Sequence, residues 1–237
     1  MKQLKAVGHS VERLDAKAKV TGTAEYVYDM VLQGMLWTKI LRSPFPHALI
    51  KSIDYSEAEK MTGVYAVITG EELGDELHGP GLRDEPILAK GRVRYAGEAV
   101  AAVAAESEDV AAEALKLIKV EYEQLDAVCD VEEAFKKNPS VVVHPDLASY
   151  YTSPHMKPRF VDGRPNVFHS HVIASGDLAT GFEEADFIIE DRYTVGRMQH
   201  CQMEPHVAIV KIEADGDVIL WASTSTIHPT KNLFANA

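Results

Sequence analysis

The fold is decided by one stretch of sequence, Glu98-Ala-Val-Ala-Ala-Val-Ala-Ala105, together with the residues that follow it. The run is almost continuously apolar, which is typical of a β-strand that is buried on both faces. Ser107 is a good helix N-cap. After it, apolar residues recur at helical spacing, at Val110, Ala114, Leu117 and Ile118. We therefore predict a strand and an amphipathic helix that bury each other.

Strand-like segments surround this pair and predict an α/β domain over residues 18–130. Two prolines in Ser43-Pro-Phe-Pro46 interrupt ladder hydrogen bonding between the first two segments. Ser56 is predicted to cap a short helix, Glu57–Met61, and residues 70–91 are predicted to be a long surface loop. The predicted strands are Met35–Leu41, Leu49–Ile53, Val64–Thr69, Val93–Tyr95, Glu98–Ala105 and Ile118–Tyr122.

The second half of the chain is less regular. Residues 137–170 are rich in proline and have few apolar clusters, which predicts a connecting segment on the surface. Beyond it, the turn Glu213-Ala-Asp-Gly-Asp217 between two apolar runs predicts a hairpin. The predicted elements are a helix at Leu178–Glu184, strands at Phe187–Val195, Val207–Ile212 and Val218–Ala222, and the beginning of a helix at Pro229–Ala237.

Composition limits the classes of function. The chain has 237 residues, 46% hydrophobic and 25% charged, as in ordinary soluble proteins. A net charge of −12 argues against nucleic-acid binding and against binding to anionic membranes. The N-terminal residues do not resemble a signal peptide, and the longest apolar run is far too short for a membrane helix. Cys129 and Cys201 form no CxxC pair, which fits a reducing cytoplasm and predicts no thiolate-bound zinc or iron–sulfur cluster.

Several stretches, in order along the chain, resemble the large molybdenum subunit of the xanthine dehydrogenase and aldehyde oxidase family. They are Val7-Gly-His-Ser-Val-Glu-Arg-Leu-Asp15, Lys19-Val-Thr-Gly-Thr-Ala-Glu-Tyr26, Leu41-Arg-Ser-Pro-Phe-Pro-His-Ala48, Val93-Arg-Tyr-Ala-Gly-Glu-Ala-Val-Ala-Ala-Val-Ala-Ala105, Ile118-Lys-Val-Glu-Tyr-Glu123, Gln199-His-Cys-Gln-Met-Glu-Pro205 and Ser223-Thr224. The family's usual Gln and Pro after this last motif are replaced here by Ser225 and Ile227.

The resemblance implies an α/β-hammerhead domain followed by the beginning of a molybdopterin-binding domain. It divides the chain into an N-terminal arm (residues 1–17), the hammerhead domain (18–130), a connecting segment (131–175) and an incomplete second domain (176–237). It implies a molybdenum–molybdopterin cofactor, with the dinucleotide form expected, in a complex that is also homo-oligomeric. Iron–sulfur and FAD subunits would supply [2Fe–2S] clusters and FAD on partner chains.

The resemblance also implies which chemistry to expect and what this chain lacks. Family members hydroxylate purines, aldehydes or heteroaromatic carbons with oxygen taken from water, and a glutamate acts as the base. That base and the family's glycine-rich cofactor loop are expected beyond residue 237. We therefore predict no catalytic residue within this chain, and no bound cofactor or activity for the chain alone.

Gln199 is the best candidate for a residue near the cofactor, because family members place a Gln side chain within hydrogen-bond reach of a molybdenum oxo ligand from this region. A shift of the alignment by one residue would put Met198 there, and Met cannot donate that bond. The alternative is that Gln199 satisfies only backbone groups.

Other candidate residues favour structural roles. His200 and His206 are separated by Pro205, and the pair His169 and His171 offers only two ligands, so we predict no metal site. Glu204 beside an apolar strand could be a general base. Because the family's base lies elsewhere, a structural role for Glu204 is favoured.

Two functions remain compatible with the sequence. In the first, the chain is part of a molybdenum hydroxylase, with a purine or xanthine substrate favoured by the stretch that begins at Gln199. In the second, it is a non-catalytic scaffold or interaction module without cofactor. An adjoining coding sequence for the glycine-rich loop and the glutamate would favour the first.

Overall fold

The computed structural model describes residues 7–79, 81–152 and 159–235. They form two compact units, one within Met1–Gln33 and Arg192–Phe234 and the other within Gly34–Asp191 and Ala235–Ala237. The strands are β1 (Trp37–Arg42), β2 (Ala48–Asp54), β3 (Val64–Thr69), β4 (Arg92–Val93), β5 (Ala99–Ala105), β6 (Lys119–Gln124), β7 (Ala208–Ile212) and β8 (Val218–Ala222). The α-helices are α1 (Ala16–Val20), α2 (Ser56–Glu59), α3 (Glu108–Leu117), α4 (Val131–Ala134), α5 (Leu178–Glu183) and α6 (Ile227–Ala235).

Strand β5 is the centre of the larger unit. It lies between β1 and β3 in a three-stranded sheet and pairs antiparallel with both. A second three-stranded sheet has the order β4-β2-β6, also antiparallel at both contacts. All six strands predicted between residues 35 and 122 are therefore confirmed, with bounds that differ by a few residues.

The burial of β5 on both faces is also confirmed. Ala101 and Val103 are fully buried in a cluster with Ala114 of α3 and Ala58 of α2, on the helical side of the strand. Val100, from the opposite face, is fully buried in a second cluster formed with residues of β2 and β4. The predicted packing of this strand against the helix that follows it is correct.

Helices α2 and α3 differ in how they begin. Ser107 caps α3 as predicted, since its Oγ accepts a hydrogen bond from the Val110 amide at 3.2 Å. The predicted cap at Ser56 is wrong, because Ser56 is the first residue of α2 and Tyr55 is its N-cap. The Asp54 carboxylate instead accepts a hydrogen bond from the Ser56 amide at 3.1 Å. An aspartate two residues earlier thus takes the role that the serine was expected to have.

The proline-rich turn between β1 and β2 is held by Ser43, which is buried. Its Oγ accepts a hydrogen bond from the Phe45 amide at 3.0 Å. Its backbone amide donates to the Glu98 carbonyl at 2.9 Å, and its carbonyl accepts from the Gly97 amide at 2.8 Å. The turn is therefore tied to the residues that precede β5, which compensates for the ladder bonds that prolines cannot make.

The connecting segment is more ordered than its composition predicts. It begins with α4, which was not predicted and which Asp130 caps by accepting from the Glu132 and Glu133 amides. Asn166 then clamps two points of the segment, donating to the Val141 carbonyl at 2.8 Å and accepting from the Val143 amide at 2.9 Å. One amide side chain thus mimics a strand partner where prolines exclude a regular ladder.

The smaller unit contains the predicted hairpin. Strands β7 and β8 pair antiparallel from Ala208↔Ala222 to Ile212↔Val218. The predicted strand Phe187–Val195 is wrong, because residues 187–195 form neither helix nor strand. Phe187 and Ile189 are 90% and 89% exposed. A strand needs a neighbour to bond its amides and carbonyls, and sequence periodicity does not supply one. None of the helices within the described ranges is long and apolar enough to cross a bilayer.

Candidate functional site

Gln199, the predicted cofactor-proximal residue, lies in an irregular stretch before β7 and is exposed. Its neighbour Met198, which a one-residue shift would place at the same position, is 88% exposed. Burial therefore does not distinguish the two alignments, whereas donor chemistry does, because only the Gln amide can donate a hydrogen bond.

The stretch that follows Gln199 is anchored to the hairpin by Ser223. The Ser223 hydroxyl donates to the Pro205 carbonyl at 3.1 Å and accepts from the Val207 amide at 3.0 Å. Two of the motifs read from the sequence, one ending at Pro205 and one beginning at Ser223, are thereby brought together. This anchor fixes the point from which the polypeptide leaves β7 towards Gln199.

The sequence offers four histidines as potential metal ligands: His169, His171, His200 and His206. The rings of His169 and His171 stack with centroids 6.4 Å apart, as expected for residues that share one face of an extended segment. Gln202 and His206 share a hydrogen bond of 2.7 Å between side-chain nitrogens. Within residues 7–79, 81–152 and 159–235, no group of three or more His, Cys, Asp or Glu side chains is arranged to hold a metal ion.

A polar cluster inside the larger unit was not predicted. Glu98 is 4% exposed, and its carboxylate accepts a hydrogen bond from the Arg94 amide. Burial raises the pKa of this carboxyl, and the hydrogen bond and positive charge of Arg94 partly oppose the rise. The Nε atom of Arg94 is buried without a hydrogen-bond partner among the described residues. The signal in the sequence was a single glutamate at the head of an apolar run.

His47 is a second buried polar residue, at the start of β2. It is 6% exposed, and its Nδ1 lies 2.6 Å from the Asp126 carbonyl oxygen. Because a carbonyl can only accept, Nδ1 holds the proton and ties the strand to the chain after β6. This hydrogen bond gives His47, at the end of the proline-rich turn, a structural role and not a catalytic one.

A polar groove of about 280 Å³ lies beside β2, lined in part by Tyr55, Thr69 and Glu72. The Glu72 carboxylate accepts from the Thr69 hydroxyl and amide and from the Tyr55 hydroxyl. The hydrogen bond from the Thr69 hydroxyl is the main cause of a lowered pKa for Glu72. Gly70 packs closely here, since an added Cβ would lie 2.7 Å from the Ala89 carbonyl oxygen. The polar side chains that line the groove thus serve mainly to hold the loop after β3 in place.

Two families match successive parts of the chain. The family described as "Aldehyde oxidase and xanthine dehydrogenase, a/b hammerhead domain" matches residues 21–126. The family described as "Molybdopterin cofactor-binding domain" matches residues 160–237. The chain belongs to the xanthine dehydrogenase and aldehyde oxidase family.

Relatives of this family match almost the whole chain. A probable xanthine dehydrogenase subunit of Bacillus subtilis is 37% identical over 94% of this chain and 27% of that protein. The nicotinate dehydrogenase large molybdopterin subunit of Eubacterium barkeri is 30% identical over 96% of this chain and 49% of the relative. The crystal structure of the aldehyde oxidoreductase from Desulfovibrio gigas aligns with a TM-score of 0.77 and 28% identity, over 94% of this chain and 24% of that one. The chain thus spans from about a quarter to a half of these relatives.

These matches confirm the predicted fold class, an α/β-hammerhead domain followed by part of a molybdopterin-binding domain. They also confirm that the homologues are oxidoreductases of the molybdenum family. They do not assign a role to any single residue, so the predicted role of Gln199 and the predicted domain boundaries stay predictions.

The candidate residue Gln199 lies in no enclosed site among the described residues. Gln199 offers an exposed amide, and the residues beside it are exposed as well. Among the described residues, the buried side-chain nitrogens without a hydrogen-bond partner are His47 Nε2 and Arg94 Nε, and both lie in the stretch that matches the hammerhead family. Cofactor sites are concave and bury most of their ligand. These residues therefore define no reaction step at molybdenum.

Proposed function

We propose that this chain is part of a molybdenum hydroxylase that adds water-derived oxygen to a heteroaromatic or aldehyde carbon. The observation that supports the proposal is the order of two family matches, hammerhead first and molybdopterin-binding second, along one chain. Names of relatives include xanthine dehydrogenase and aldehyde oxidoreductase, which are consistent with this substrate range. Within this range, the stretch that begins at Gln199 favours a purine as the substrate.

The cofactors follow from the same proposal. The whole protein would bind molybdenum–molybdopterin, in the dinucleotide form. Electrons would pass to [2Fe–2S] clusters and FAD on separate partner subunits, because the two cysteines of this chain are both exposed and form no CxxC pair. Relatives named as subunits, such as the probable xanthine dehydrogenase subunit of Bacillus subtilis, support such an assembly.

Exposed apolar side chains in the second half support the proposal of partner chains and of a homo-oligomer. Phe187, Ile189 and Val195 are each at least 89% exposed. Large exposed apolar patches mark protein–protein contacts in soluble proteins. The location is proposed to be the cytoplasm, on the basis of cysteine usage.

Within this proposal Gln199 is a positioning residue for the cofactor. Its side-chain amide would donate a hydrogen bond to an oxygen ligand of the metal, which Met198 cannot do. In the purified complex, Gln199→Leu is expected to lower kcat with little change in molybdenum content, whereas Met198→Leu is expected to leave both nearly unchanged. The reverse pattern would assign the position to residue 198 and not to 199.

The test of the function is to tag this chain in its source cell and purify the complex that contains it. We expect stoichiometric molybdenum by elemental analysis and dye reduction that depends on xanthine or on an aldehyde. The 237-residue chain alone is the matched control, and it is expected to contain no molybdenum and to reduce no dye. A complex without molybdenum and without turnover would contradict the proposal and favour a non-catalytic scaffold.

A further inference from the structure

A contact between two loops of the larger unit suggests a further property of the molecule, independent of the proposed function. Residues 150–152 of the connecting segment lie against the long loop that follows β3. Leu82 and Thr152 form an isolated antiparallel bridge, and the Arg83 amide donates to the Tyr151 carbonyl at 2.9 Å. The Arg83 guanidinium lies over the Tyr151 ring, 4.8 Å from its centroid. This contact is small, so its local stability is expected to be low.

His144 lies next to this contact and is half-buried. Its Nδ1 is 3.2 Å from the Tyr150 hydroxyl, and the two rings meet edge to face with centroids 5.6 Å apart. Tyr150 directly precedes the residues that pair with the loop. The position of His144 is therefore coupled to the position of the paired residues through one neighbouring side chain.

Two charged groups act on His144, Asp84 from the loop and Arg94 from the residues just after β4. Burial lowers the pKa of His144, the positive charge of Arg94 lowers it further, and the negative charge of Asp84 opposes both. Arg94 in turn lies beside the buried carboxylate of Glu98, which also interacts with Glu85. A protonated imidazole here would place a second cation near a guanidinium in a partly desolvated environment, which is unfavourable.

We propose that His144 makes this contact a pH-sensitive latch, closed when the imidazole is neutral and released when it is protonated. The latch consists of residues 144–152 on one side and residues 82–85 on the other. The hammerhead sheets are not part of it, because residues 82–85 and 144–152 lie outside the strands of both sheets.

The sign of the effect follows from proton linkage. The pKa of His144 is lowered from 6.5 in the closed latch, so the closed form binds the proton less well than the open form does. The closed population is therefore complete above pH 6.5 and falls as the pH drops through the window below that value. Glu98 acts in the opposite direction, because its pKa is raised from 4.5 and its protonation in the folded chain relieves a buried charge. Substitutions are therefore needed to distinguish the pH dependence that comes from His144 from that of Glu98.

The test is residue-resolved amide hydrogen exchange by NMR on the 237-residue chain, from about pH 7.5 to about pH 5.5, corrected for intrinsic exchange. Protection of the Arg83 amide is expected to fall several-fold across this range, while that of Val103 in β5 stays constant. His144→Gln keeps a polar partner for Tyr150 but cannot be protonated, so its Arg83 protection is expected not to change with pH. His78→Gln is the control, since His78 contacts the same loop through its backbone.

Glu98→Gln removes the second titrating group, so the loss of Arg83 protection in acid is expected to persist in this variant; its disappearance would assign the pH dependence to Glu98 and overturn the latch. If Arg83 protection depends on pH in His144→Gln as strongly as in the unsubstituted chain, the latch is overturned. Arg83 protection that stays constant with pH in the unsubstituted chain would also overturn it. If His144→Gln does not fold, the imidazole of the unsubstituted chain can be titrated by NMR instead. A midpoint below 6.5 that coincides with the loss of Arg83 protection is expected, and a midpoint at or above 6.5 contradicts the proposal.

Discussion

Strand β5 and residues 187–195 were both predicted to be strands, but they have opposite environments. In β5, Val103 is fully buried against α2 and α3, and Val100 is fully buried on the opposite face against the second sheet. In residues 187–195, Phe187 and Val195 are 90% and 89% exposed and the backbone forms no strand. Apolar residues at strand spacing are therefore not sufficient for a strand. A strand also requires neighbouring strands that form hydrogen bonds with its amides and carbonyls.

The largest consequence of this contrast is expected in local stability. Limited proteolysis of the 237-residue chain should cut first within residues 185–206, the long loop at 70–91 or the connecting segment at 137–170. Cleavage within 98–118 should be slower by more than about 100-fold, because it requires opening of the whole core. Mass spectrometry of early fragments measures this order. Early cleavage inside 98–118 would show that β5 and α3 do not protect each other.

A matched pair of substitutions expresses the same contrast as an energy. Val103→Ala removes fully buried methyl groups from the core and should lower the free energy of unfolding by about 1–3 kcal/mol. Val195→Ala makes the same chemical change at an 89% exposed site and should change it by less than about 0.5 kcal/mol. Urea denaturation followed by circular dichroism gives both values. Equal effects would mean that burial in residues 34–124 does not govern the stability of the chain.

A smaller effect is expected at the helix ends. Ser107→Ala removes the side-chain acceptor for the Val110 amide and should cost about 1 kcal/mol. Ser56→Ala is the control, since Ser56 is inside α2 and caps nothing, and its cost should be a few tenths of a kcal/mol at most. Thermal unfolding of both variants measures the difference. A larger loss from Ser56→Ala would restore the cap that the sequence predicted.

The sequence predicted the larger unit well because local signals and tertiary contacts agree there. The apolar run at 98–105, the Ser107 cap and the alternating strands each have one physical outcome, and all were confirmed. One error in this unit occurred where two residues compete for one role. Asp54 rather than Ser56 accepts the first amide of α2, and the two lie close enough in sequence that periodicity does not separate them.

The candidate site was predictable only through resemblance. Gln199 was identified from a family motif, and its surroundings in the described chain neither strengthen nor weaken that role. The proximity of His144 to Arg94 was not predicted, because the two are far apart in sequence and approach only when the loops fold. The anchor from Ser223 to Pro205 has the same origin, since 18 residues separate the two partners.

The alanines that face each other across the β5–α3 contact limit how the sequence can diverge. Ala101, Ala114 and Ala58 are all 0% exposed and share one cluster. Enlarging any of them forces strained packing at roughly 1–3 kcal/mol, and no neighbour among the three can shrink except to glycine, which weakens a helix by about 1 kcal/mol. Compensating pairs of substitutions are therefore scarce at this contact. Homologous chains are expected to vary at the partly buried residues around these alanines more often than at the alanines themselves.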